Sequence, residues 1–71
     1  MTGNELLRRL RRLGGARGVT VRLDEIKGKG SHAALYYGSR RTTLKDRRKE
    51  IGAGLLRTML RQLGLDRRDI E

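Results

Sequence analysis

Cysteine, tryptophan and phenylalanine are absent from this chain, and histidine occurs once. Without Cys there is no disulfide, no zinc ribbon and no thiol nucleophile, which fits a reducing compartment and sets the cytoplasm as the expectation. One His with no Cys rules out a His-rich metal site, and the acidic residues are scattered rather than paired at helix spacing. No run of ~18 apolar residues is long enough to span a bilayer. The first fifteen residues alternate Leu with Arg where a signal peptide would carry a continuous apolar segment. That Leu/Arg stretch also lacks the Trp or Phe that would anchor it on a lipid surface, so no membrane partner is expected.

Lys27-Gly28-Lys29-Gly30 lacks the spacing of a phosphate-binding loop, and Gly52-Ala53-Gly54 is too short for a dinucleotide fingerprint. The expectation is therefore no small-molecule cofactor. At 71 residues the chain has room for one domain, spanning 1–71. A domain of this size buries only ~60 % of its unfolded surface, so its core must be lean.

What the chain has in excess is positive charge. Lys and Arg number 18 against 8 Asp and Glu, for a formal net charge of +10. Most of these cations are Arg, whose planar fork meets phosphate bidentately. A domain this basic carries the electrostatic footprint of a nucleic-acid binder, although a solvated Arg-rich surface would leave the same count.

Along the chain, Thr2-Gly3-Asn4-Glu5 has capping-box spacing. Leu6, Leu7, Leu10 and Leu13 follow at helical intervals, and Gly14-Gly15 is expected to end this helix, giving about residues 3–13. Val19 to Asp24 alternates as a half-buried strand, Lys27 to Gly30 is a basic turn, and Ser31 to Tyr37 is a second strand. Gly38-Ser39 turns the chain into a third strand over Arg40 to Leu44. Lys45 to Lys49 reads as a charged, solvated connector, as Arg8, Arg9, Arg11 and Arg12 read as a solvated helix face.

Leu55, Leu56, Met59, Leu60 and Leu63 stripe a second helix with Gly52 at its start and Gly64 just past its end. Asp66 is placed to cap one more turn through Ile70. The order α-β-β-β-α predicts a two-layer α+β domain, with two helices on one face of a three-stranded antiparallel sheet. Period-two alternation then turns Arg22, His32, Ala34, Tyr36, Arg41 and Thr43 toward the open face.

Gly28-Lys29-Gly30-Ser31-His32, then Thr42-Thr43-Leu44, then Lys49-Glu50-Ile51-Gly52-Ala53-Gly54-Leu55-Leu56-Arg57, resembles the HicA toxins over about residues 4–65. The resemblance implies a double-stranded-RNA-binding-domain-like fold. It also implies an mRNA interferase of a type II toxin–antitoxin module, inhibited by a HicB-like antitoxin protein. Family members carry a catalytic His after a Gly-Ser pair, which corresponds to His32. Many also carry further His residues where Ala33 and Ala34 stand here.

The activity so implied is a metal-independent endoribonuclease, in which an RNA 2′-OH attacks its own 3′-phosphate. Imidazole, with an ordinary pKa of ~6.5, can move protons near neutral pH. Arg22, Arg41, Lys27 and Lys29 are the candidates for phosphate binding, with Ser31 at the turn and Tyr36 as a base-stacking surface. Lys29, Tyr36 or water would supply the second proton transfer. The competing expectation is a non-catalytic double-stranded-RNA-binding-like module, which reads RNA shape and needs no imidazole.

Overall fold

The computed structural model describes residues 1–28, 30 and 32–71. Its elements run α1 (Gly3–Arg17), β1 (Val21–Glu25), β2 (Ala33–Tyr37), β3 (Arg40–Leu44), α2 (Ala53–Gln62) and a final 3-10 turn (Arg67–Ile70). The strands form one antiparallel sheet in the order β1-β2-β3. This is the α+β, α-β-β-β-α arrangement expected from the sequence. Among the described residues no helix is long and apolar enough to cross a membrane.

Helix α1 begins as its spacing predicts, with the Thr2 side chain accepting a hydrogen bond from the Glu5 N–H at 3.2 Å. The reciprocal half of the box is replaced by an ion pair, because the Glu5 carboxylate accepts from Arg9 at 3.1 Å. The helix does not end at Gly14-Gly15. It continues to Arg17 and is capped by Gly18, whose φ of 68° suits a residue without Cβ. Gly14 serves close approach instead of termination. Its carbonyl accepts the Val19 N–H at 2.8 Å, and a Cβ there would sit 2.5 Å from the Val19 carbonyl oxygen. Val19 is thus taken up by the helix cap, which is why β1 starts at Val21 and not at Val19.

In the sheet, Leu23 pairs with Leu35 and Leu35 with Thr42, while Val21 pairs with Tyr37. These rows face the helices. Leu35, Tyr37 and Leu44 join Leu6, Leu7 and Leu10 of α1 and Leu56, Met59 and Leu60 of α2 in one core. Helix α1 packs toward β1 and α2 toward β3, so both helices cover the same side. Thr42 is the one buried polar residue among those described, and its hydroxyl donates to Gln62 Oε1 on α2.

Helix α2 closes as expected: Gly64, at φ 73°, turns the chain, and the Leu65 N–H returns to the Leu60 carbonyl at 2.8 Å. Asp66 caps the final turn in a reciprocal box with Asp69. That turn is docked. Ile70 is buried, Arg17 holds Asp69 at 2.8 Å, and Arg9 donates to the Ile70 carbonyl at 3.2 Å. Arg9 therefore belongs to a tertiary contact and not to the solvated face expected for it.

Candidate nucleic-acid interface

The side of the sheet away from the helices carries the outward half of each strand's alternation. Register aligns these residues in rows across the sheet. Arg22 pairs with Tyr36 and Tyr36 with Arg41, forming one row. Asp24, Ala34 and Thr43 form the next. The β1–β2 pairing extends past the strand end, since the Ile26 N–H donates to the His32 carbonyl at 3.1 Å. Alternation therefore carries half-buried His32 onto the same side as Ala34 and Tyr36.

The first row is an ordered stack. The Arg22 guanidinium lies 4.3 Å from the Tyr36 ring centroid, within the range of a cation–π contact. Its Nε is also held by Asp24 at 3.3 Å, although the Arg22 side chain remains 59 % exposed. The guanidinium thus sits over the ring, and more than half of the Arg22 side chain is open to solvent. Unpaired bases stack on aromatic rings and on guanidinium planes alike. The two tyrosines divide as their alternation requires: Tyr37 is in the core and Tyr36 is on the open side.

Of the other candidates, Lys27 is exposed on the turn between β1 and β2. Lys29 and Ser31 lie outside the described residues. Tyr36 does not work as a proton-transfer partner of His32. The two are four strand positions apart, about 13 Å at the usual rise, too far to act on one phosphate. The fold brings Arg22, Tyr36 and Arg41 together and sets His32 two rows away on the same face.

A feature that sequence spacing did not reveal lies on the helix side. Leu56, Leu60 and Leu65 floor a groove between α2 and the following turn, with Arg57, Arg61 and Arg67 at its rim. Only the return of residues 64–67 along α2 makes a concavity of these side chains. Among the described residues, no three His, Asp or Glu side chains gather in a group that could hold a metal ion. Asp69, on the docked terminal turn, is held below the usual carboxylate range by the Asp66 N–H and by Arg17.

Comparison of the chain with protein-family models, with curated proteins and with solved structures yields no match.

Proposed function

We propose that this protein is an RNA-cleaving toxin, an mRNA interferase of the kind that the HicA-like motifs imply, acting in the cytoplasm and held in check by a HicB-like antitoxin. The observation that carries the reading is the shared open face. The chain's one imidazole is on the same side of the sheet as a guanidinium–aromatic stack and a second arginine. Stacking and cationic groups are what single-stranded RNA requires of a binding surface. An imidazole beside them adds the proton transfer that cleavage requires.

The reaction that suits these groups needs no resident cofactor. The 2′-oxygen of a ribose attacks the adjacent phosphorus and the P–O5′ bond breaks. The products are a 2′,3′-cyclic phosphate and a 5′-hydroxyl end. One proton leaves the 2′-OH and one is delivered to the departing 5′-oxygen. His32 performs one of these transfers, and Lys29 or water is left for the other. Cationic side chains stabilise the charge that builds on the phosphoryl oxygens.

The test is cleavage of a model RNA by purified protein with a chelator present, comparing the wild type with His32→Ala. Losing a general acid or base should slow cleavage by roughly 10²- to 10⁴-fold, and the wild-type products should carry cyclic phosphate ends. Growth arrest on induction should vanish in parallel. Cleavage by His32→Ala at the wild-type rate would overturn the catalytic assignment. Tight RNA binding by a wild type that cuts nothing would favour the binding-module reading.

A further inference from the structure

The open face is unequal in charge across its width, and this determines how a polyanion can lie on it. On the β1 side, Arg22 is already engaged by Asp24, and the Asp24 carboxylate is itself 53 % exposed. On the β3 side the outward positions are Arg41 and Thr43, and the next position in the same alternation is Lys45. Continuing the β2–β3 register, in which Ala33 pairs with Leu44, sets Lys45 beside His32. No carboxylate of the described residues lies within 4.0 Å of Arg41 or Lys45. Both are exposed, as is Thr43 between them.

Alternate positions on a strand are about 6.6 Å apart, close to the separation of successive phosphates in an extended single strand. A sugar–phosphate chain running along β3 would meet a cation, a hydroxyl and a cation in turn. It would stay clear of Asp24. Its bases would fall toward the middle strand, where the Arg22–Tyr36 stack offers a planar surface. A duplex cannot use that surface, because its bases are already stacked inside the helix.

Resting on the RNA reading above, we infer that the substrate is unpaired RNA lying along β3. Its phosphates are on Arg41, Thr43 and Lys45, and a base is stacked on the Arg22–Tyr36 pair. Lys45, which reads in the sequence as part of a solvated connector, becomes the cation that holds the phosphate next to His32. The stacking row, about 13 Å away along the sheet, holds a base at a fixed offset from the cut and so fixes the register of the strand on the face.

The experiment is fluorescence anisotropy with the His32→Ala protein, which keeps the face while removing the imidazole. The probes are a labelled unstructured RNA and a blunt RNA duplex of equal length. The single strand should bind at least several-fold more tightly. Tyr36→Ala should weaken it by roughly 5- to 150-fold, the loss of one stacked base, whereas Tyr36→Phe should stay near the parent. Lys45→Ala should lower the slope of log affinity against log salt by about 0.7, the signature of one lost phosphate contact on a single strand. Arg67→Ala, on the helix side, should change neither value.

Equal binding of duplex and single strand would overturn the inference, as would an unaltered slope for Lys45→Ala. If the wild type cuts RNA in that case, the nuclease reading survives and the track is wrong. If the single-strand preference and the Tyr36 and Lys45 effects hold while the wild type cuts nothing, the track stands and the nuclease reading fails.

Discussion

Adjacent glycines in one helix should respond to the same substitution with opposite signs. Replacing a helical Gly by Ala ordinarily stabilises by roughly 0.5–1 kcal/mol, because Ala has less backbone freedom to lose. At Gly15 an added Cβ would meet nothing within 4 Å. Gly15→Ala should therefore gain that amount and raise the melting temperature by roughly 2–8 °C for a domain of this size. At Gly14 the Cβ would lie 2.5 Å from the Val19 carbonyl oxygen and 2.9 Å from Val21 Cγ2. The first of these is backbone, fixed by the Val19 N–H bond to the Gly14 carbonyl. It cannot swing aside as a side-chain tip would, so α1 and the entry to β1 must move apart. Overpacking of this kind costs about 1–3 kcal/mol. Set against the propensity gain, Gly14→Ala should lose about 1–2 kcal/mol net, a fall of roughly 4–16 °C. Thermal melts followed by far-ultraviolet circular dichroism, with urea titrations to check that the transition slope is unchanged, measure both. A Gly14→Ala protein melting at or above the wild type would refute the close-approach account of this helix end.

Two further outcomes follow from the described contacts. Asp69 has its carboxyl pulled down chiefly by the Asp66 N–H and then by Arg17. The stability it contributes is thus present above the unfolded aspartate value of ~3.9 and is lost as pH falls through its lower folded value. Asp69→Asn should melt below the wild type at neutral pH and coincide with it in strong acid; a deficit of equal size at both pH values would contradict this linkage. Gln62→Ala leaves the buried Thr42 hydroxyl without its acceptor and should cost about 1–3 kcal/mol by urea unfolding. Adding Thr42→Val should restore part of that loss, and a double variant weaker than Gln62→Ala alone would show that the hydroxyl has another role.

The apolar spacing made the sheet and its open face legible. Alternation in Leu35-Tyr36-Tyr37 and in Arg41 to Leu44 separates core from surface without any knowledge of the partner strand, whereas Ala33 and Ala34 are both buried. Gly52, Gly64 and Asp66 mark helix ends because each has a local reason to be there. The Gly14-Gly15 pair misled because a glycine can serve a positive φ or a close approach. A sequence does not show which one a neighbouring strand will impose. The same holds for charged side chains. Arg17 and Asp69 are 52 positions apart, and nothing local to either announces their pairing. The Arg9 contact and the groove beside α2 depend on distant partners in the same way, and Lys45 reads as connector because its place depends on the register between β2 and β3.

Net charge alone does not choose a working face. Among the described residues, Arg57, Arg61 and Arg67 beside α2 and Arg41 and Lys45 along β3 have no carboxylate within 4.0 Å, so a polyanion would be attracted to either side of so small a domain. Scarcity is the more informative signal. The chain has two tyrosines and one histidine. Tyr37 belongs to the core, which leaves Tyr36 as its one aromatic ring able to meet a ligand. That ring, its guanidinium partner and the sole imidazole share one side of the sheet, while the groove beside α2 is lined by no ring and no imidazole among the described residues. Cations steer a nucleic acid toward the protein, but a stacking surface and a proton carrier distinguish RNA chemistry from attraction. Only the face opposite the helices supplies both among the described residues.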